Sequence, residues 1–201
     1  MKLSPSIPSD YENNPCDPLK YPYKDDSSTW ESFKSGNESA FIYIYGFYFD
    51  QLFIYGIHFT KDEGIVKDAI QDLFIDLRKN RLTLGPTDSI KFYLFKCLKR
   101  RILKEKSHWF YKCEVFSNEF SFNFTFSHEQ FLIDRQLDEE KMARLNRSIK
   151  SLSPRKREII YYFYYEGLTY SQIREMMNLS NIKSVRNLLY KAVSFLREST
   201  L

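Results

Sequence analysis

Two groups of side chains in this sequence of 201 residues combine positive charge with directional hydrogen-bonding capacity. The first is Lys183, Ser184, Arg186, Asn187 and Lys191, with Ser180 and Asn181 at its entry, inside the stretch EGLTYSQIREMMNLSNIKSVRNLLYKA from Glu166 to Ala192. Arginine and lysine can bond a guanine edge and asparagine an adenine edge. Arg186, Lys183 and Asn187 therefore carry base-reading chemistry, while Ser184 and Lys191 suit phosphates. The second group is Lys91, Lys96, Lys99, Arg100 and Lys104, with the aromatic rings of Phe92 and Tyr93 beside it. The formal net charge of +4 conceals this cluster, because acidic residues elsewhere cancel it. One such acidic set, Asp68, Asp72 and Asp76, repeats every four residues. Like charges at that helical spacing repel by a few tenths of a kcal/mol per pair, so the row is either a solvated face or a docking face for a basic partner.

Catalytic and metal chemistry find no comparable pattern. Cys16, Cys97 and Cys113 are odd in number and form no CxxC pair, which speaks against a disulfide framework or a zinc site and for reduced thiols. His58, His108 and His128 lack ligand spacing. No Gly-rich phosphate loop, Ser-His-Asp set or paired carboxylates stand out, so neither an enzyme nor a cofactor, metal or small-molecule substrate is expected. The first residues lack the apolar run of a signal peptide, and Phe41 to Phe49 is too short to span a bilayer. A soluble cytoplasmic protein is the expectation.

The elements that must position these groups are helical. Gly 6 and Pro 7 are few, while Phe 18 and Tyr 15 are many, so a turn-rich sandwich is disfavoured. Residues 1–29 hold most of the prolines without sustained periodicity and read as a flexible extension. FIYIYGFYF resembles a strand by residue type, yet Phe41, Ile44, Tyr45, Tyr48, Leu52 and Tyr55 fall at helical steps, with Asn37 as a cap. KDEGIVKDAIQDLFIDLRKN carries one apolar stripe, Val66, Ile70, Leu73, Phe74 and Leu77. After the turn at Gly85 and Pro86, Asp88 or Ser89 caps a helix that buries Ile90, Leu94, Leu98 and Ile102 and turns its basic side outward. From Ser107 the pattern changes: Phe120, Phe122, Phe124 and Phe126 alternate with polar residues, the period of an extended segment. It is either a linker whose phenylalanines dock in a groove or a small β-ribbon.

A second helical block starts near Leu137. Met142, Leu145, Ile149 and Leu152 form a stripe; Ser153 and Pro154 open the next helix, and Gly167 closes it in the left-handed conformation. Thr169 and Gln172 form a capping box, with Leu168 and Ile173 at hydrophobic-staple spacing. Asn178, Leu179 and Ser180 turn the chain, Ser180 or Asn181 caps the last helix, and Val185, Leu188, Leu189, Ala192 and Leu196 are its buried side. Short helix, tight turn and a second helix with polar residues near its start make the helix-turn-helix plan, a pattern that any three-helix bundle with a solvated face can share.

Two separated stretches together resemble one family. SLSPRKREIIYYFYYEGLTYSQIREMM with SVRNLLYKAVSFLRE is similar to the carboxy-terminal domain of bacterial RNA polymerase sigma factors of the extracytoplasmic-function (ECF) group within the sigma-70 family. VKDAIQDLFIDLRKN with SIKFYLFKCLKRRILK is similar to the amino-terminal domain of that group, and the flavour is that of its Bacteroidetes branch. The resemblance implies an all-α fold of two small helical domains joined by an extended linker: residues 30–106 like sigma region 2, a linker over 107–136, and residues 137–201 like sigma region 4. It further implies that Asp68, Gln71, Asp72 and Asp76 dock on the clamp of the largest subunit of core RNA polymerase. Lys91, Phe92, Tyr93, Lys96, Lys99, Arg100 and Lys104 would hold the melted proximal promoter element, since single strands need a cationic track and aromatic faces. Ser180, Asn181, Lys183, Ser184, Arg186, Asn187 and Lys191 would read the distal element as duplex, with the second-largest subunit's flap on the neighbouring surface. An anti-sigma factor is the further partner implied, and the linker phenylalanines are surfaces suited to it. Two departures stand out: LSNIKSVRN is one residue longer at the recognition-helix entry than the common pattern, and the linker is unusually rich in phenylalanine. A stand-alone helix-turn-helix regulator binding operator DNA as a dimer is the second reading, and an anti-sigma or scaffold role the third.

Overall fold

The computed structural model describes residues 25–112, 121–125 and 139–200, and all its regular elements are helical. The sequence extension over residues 1–24 and the remainder of the 107–136 linker lie outside the described residues. The first unit holds α1 (Asp26–Lys34), α2 (Glu38–Ile57), α3 (Glu63–Lys79), a short 3-10 turn (Arg81–Thr83) and α4 (Ile90–Lys112). The second holds α5 (Glu139–Ser151), α6 (Pro154–Ile160), a π-helical turn (Tyr161–Tyr165), α7 (Tyr170–Met176) and α8 (Ile182–Thr200).

Local chemistry sets most of these boundaries. Asp25, Asn37 and Asp62 accept hydrogen bonds from backbone amides at the starts of α1, α2 and α3, satisfying donors that have no partner inside the helix. α1 therefore begins inside the stretch assigned to the flexible extension, and it is anchored by Trp30, which is buried and donates its indole N–H to the Gly85 carbonyl at 2.8 Å. The amino end of α4 has a double cap. Ser89 Oγ accepts from Phe92 N at 3.2 Å, and Asp26 reaches across from α1 to accept from Ile90 N at 2.9 Å. α4 also runs past residue 106, where the linker was expected to start, because neither Gly nor Pro interrupts the chain between Ser89 and Lys112.

The stripe of α3 is buried as expected, and so are Ile90, Leu94, Leu98 and Ile102 of α4. In α2 only part of the expected stripe turns inward: Ile44, Tyr48, Leu52 and Tyr55 are buried, Phe41 is half-buried and Tyr45 is 42% exposed. Gly56 explains how closely α2 meets α3, since a Cβ there would lie 2.5 Å from Val66 Cγ1. By length and composition alone α2 would reach across a bilayer; its inward face instead lines the core of the bundle.

In the second unit Met142 and Ile149 of α5 and Leu152 just after it are buried, and Leu145 is half-buried. Gly167 stands at φ +66°, the left-handed stop expected after the helix that Pro154 opens. The π-helical turn before it was not expected. Tyr161 and Tyr162 in it face inward while Tyr164 stays 58% exposed, and such single-turn insertions are rare inside otherwise α-helical runs.

The described part of the phenylalanine-rich segment, residues 121–125, has no strand partner among the described residues. Phe122 and Phe124 are buried against Tyr161 at 5.4 and 4.9 Å between ring centres, and the His58 ring packs on all three. Asn123 N donates to the His58 carbonyl at 2.8 Å, and Arg157 donates to Asn123 Oδ1 at 2.9 Å. For residues 121–125, docking into a groove is the alternative seen, and that groove lies between the two helical units.

Candidate nucleic-acid interface

The α7–α8 pair is built by its caps. Thr169 Oγ1 accepts from Gln172 N while Gln172 Oε1 accepts from Thr169 N at 2.9 Å, completing the capping box. Leu168 and Ile173 are buried beneath it. The turn passes through Asn178 at φ 49°, a left-handed position that asparagine tolerates better than most residues. Asn181, rather than Ser180, caps α8: its Oδ1 accepts from Ser184 N at 2.8 Å. Val185, Leu189 and Ala192 are buried, whereas Lys183, Arg186, Asn187 and Lys191 are exposed and Ser184 is half-buried. The four exposed side chains recur at steps of one, three and four along α8, so they share one outward face near its amino end. The Arg186 guanidinium lies 5.4 Å from the Tyr170 ring centre, which restrains its direction without using its hydrogen-bond donors.

The basic side of α4 is divided. Arg100 and Lys104 remain at the surface. Lys91, Lys96 and Lys99 each meet a carboxylate of the second unit. Lys91 pairs with Glu166; Lys96 pairs with Glu175 at 2.9 Å; Lys99 pairs with Glu158 at 2.6 Å and also donates to the Met176 carbonyl at 2.6 Å. Lys99, read from the sequence as part of the open side, has a side chain only 12% exposed, and that of Glu158 is 2% exposed. Tyr162 donates to the same Glu158 oxygen at 2.8 Å, so its own oxygen must accept from Tyr55, 2.7 Å away. Burial first, and then the Glu158 charge among the remaining causes, holds the Tyr55 and Tyr162 hydroxyls well above the usual phenol range. Phe92 and Tyr93 are half-buried; Tyr93 packs on Trp30 with ring centres 5.0 Å apart, and burial raises its hydroxyl to about 12.

On α3, Asp68, Gln71 and Asp72 are exposed on one open face beside Ile75, which is 40% exposed. Asp76 differs: it pairs with Arg101 of α4, whose hydrogen bond and charge hold its carboxyl below the ordinary value. Arg101, Glu158, Glu166 and Glu175 were not picked out from the sequence. Their partners lie between 25 and 79 residues away, and no local spacing announces a pair of that separation.

A capped helix-turn-helix with an open polar face, carried beside a four-helix unit with basic and acidic faces, defines an all-helical protein of two domains, one of which holds a helix-turn-helix. The comparisons narrow this class. Residues 148–198 match the family Sigma-70, region 4. The fold is similar to that of the sigma factor RpoE from Bartonella quintana, solved in complex with the anti-sigma factor NepR: TM-score 0.54 at 15% identity, covering 77% of this chain and 92% of that one. It is similar also to CnrH, solved in complex with the cytosolic domain of CnrY: TM-score 0.55 at 18% identity, covering 86% of this chain and 95% of that one. At such identities the likeness is one of fold. No curated protein sequence matches the chain.

Proposed function

We propose that this chain is a promoter-recognition subunit of the ECF sigma type, which binds core RNA polymerase and directs initiation of transcription. The observation that carries this reading is the Sigma-70 region 4 match over 148–198, falling on a helix-turn-helix whose Lys183, Arg186, Asn187 and Lys191 stand open. The fold likeness to sigma factors extends over the first unit as well. α8 reads the distal promoter element in the major groove. The basic side of α4, with Phe92 and Tyr93, grips the opened strand of the proximal element, and the face of Asp68, Gln71 and Asp72 docks on the polymerase clamp. The second-largest subunit's flap and an anti-sigma factor are its further partners, and it works in the cytoplasm.

A self-sufficient dimeric repressor leaves the basic α4 and the acidic face of α3 without a task. The two readings separate in one reconstitution. A sigma factor protects two DNA elements and supports run-off transcription only together with core polymerase. Protection of a single symmetric site by the isolated chain, with no transcription upon adding core polymerase, refutes the proposal.

A further inference from the structure

α2 is apolar on two sides, and the core of the bundle uses one of them. Ile44, Tyr48, Leu52 and Tyr55 face inward. On the other side Ile42, Phe47 and Ile54 are 44%, 36% and 51% exposed, with Tyr43, Phe53 and Ile57 half-buried among them. Gly46 lies in this outer stripe, near the middle of a helix of 20 residues. Glycine weakens a helix interior relative to alanine, so its presence calls for a physical reason. Gly56 has one inside the chain, the close approach of Val66. Gly46 has none among the described residues: its φ is not positive, and beyond its own helix backbone and chain neighbours a Cβ there would meet nothing within 4 Å. What glycine does supply on an exposed apolar face is room for another backbone to come close.

We infer that α2 is a self-association surface, on which two copies of this chain pair antiparallel through the stripe centred on Gly46. The rims of the stripe carry charges in the order such a pair requires. At its carboxyl end Lys67 of α3 stands 5.4 Å from the Phe53 ring centre and pairs with Glu63; at its amino end Glu38 pairs with Arg78, which lies 5.4 Å from the Phe41 ring centre. All four side chains are between 56% and 62% exposed. A two-fold axis passing between Gly46 and Phe47 sets Glu38 of one copy beside Lys67 of the other, and Arg78 beside Glu63. The two separate pairs then join into one alternating row at each end of the contact, and networks contribute more than isolated exposed pairs. A parallel copy would set Glu38 against Glu38, and a partner of a single charge sign would meet a like charge at both rims. The same axis places Asp50, exposed on the stripe, opposite Tyr43 of the other copy, whose hydroxyl can donate to it. Taking roughly 200 Å² for a whole large side chain, the apolar stripe offers about 400 Å² per copy, a patch size that is often functional on a monomer. With the charged rims the pair buries about 1,200 Å² in all, the lower bound of specific interfaces, so the dimer is reversible. Pairing through α2 needs no DNA and does not depend on what α8 reads.

The test is sedimentation velocity of the full chain without DNA, under reducing conditions so that its cysteines cannot cross-link copies. Over about 1–200 µM, a range suited to an interface of this size, it should show a reversible monomer–dimer equilibrium. Gly46→Leu puts a better helix former into open space, so the thermal midpoint of the monomer should stay constant or rise, while the dissociation constant of the dimer rises at least about tenfold. Lys67→Glu and Glu38→Lys should each weaken the dimer. An equimolar mixture of these two variants should restore it, because both ends of the mixed pair again join opposite charges. A chain that stays monomeric over the whole range overturns the inference and leaves the stripe to residues 1–24 or to another protein. A G46L chain that pairs as tightly as the unaltered one also overturns it, as does a mixture that associates no more tightly than its separate components.

Discussion

Replacing Lys99 with methionine removes one charge from the seam between the two units while keeping most of the aliphatic stem that packs there. Lys99 donates to Glu158 Oε1 and to the Met176 carbonyl, both at 2.6 Å. After the change, Tyr162 still donates to the Glu158 carboxylate at 2.8 Å, but no cation among the described residues replaces Lys99 beside that side chain, which is 2% exposed. A buried ion pair contributes little net stability against an apolar replacement of both partners, but removing one partner strands the other charge and costs about 3–5 kcal/mol. The orphaned Met176 carbonyl adds to this, and separation of the units, which lets water reach both groups, sets the ceiling. The K99M chain should therefore lose about 3–5 kcal/mol in urea unfolding followed by circular dichroism. Adding E158Q to K99M removes the stranded charge and leaves a group that Tyr162 can still bond, so the double variant should recover at least about half of the loss, appearing as a positive coupling in a double-mutant cycle. A K99M chain within about 0.5 kcal/mol of the unaltered protein, a difference ordinary for surface changes, would refute the reasoning. So would a double variant no more stable than K99M.

Arg186→Ala should weaken binding to the distal element by about 1–3 kcal/mol and relax preference at one base position, while affinity for core polymerase stays constant; selection from a randomised promoter pool reads both, and unchanged preference would remove Arg186 from base reading. Asp72→Lys reverses the exposed face of α3 and should reduce affinity for core polymerase in a fluorescence titration without altering sequence choice; unchanged affinity would place the docking face elsewhere. His58 provides a pH test. Burial lowers its pKa below the ordinary 6.5; its Nδ1–H donates to the Asn123 carbonyl at 2.7 Å, and Nε2 is buried without a partner among the described residues. The unfolded chain binds the proton more readily than the folded one. The stability that the neutral ring contributes is thus fully present above pH 6.5 and is lost as pH falls through the depressed folded value. The urea midpoint should fall between pH 7.5 and pH 5.5, and His58→Gln, which can still donate to Asn123, should reduce that fall; an equal fall in both proteins would assign it to other groups.

What the sequence determined by itself is what operates within a helical turn. Asn37, the Thr169–Gln172 box, Pro154 and Gly167 act through amides and dihedral angles one to four residues away, and the stripes of α3 and α4 follow from helical period alone. The exposed face of α8 was legible for the same reason, since burial of Val185, Leu189 and Ala192 leaves Arg186, Asn187 and Lys191 on the other side. Tertiary structure decided the rest. Tyr45 of α2 is exposed although its spacing suits the stripe, because an almost wholly apolar helix does not reveal which side its neighbours will cover. Tyr161 and Tyr162 of the π-helical turn face α2, and the phenylalanines of residues 121–125 bury against them. Above all, the basic side of α4 was visible as a run of lysines, but not the carboxylates that meet it. Glu158, Glu166 and Glu175 are ordinary helix and turn residues until the chain folds back on itself, and Coulomb attraction over a few ångströms depends on where the chain returns, which spacing along the sequence does not encode.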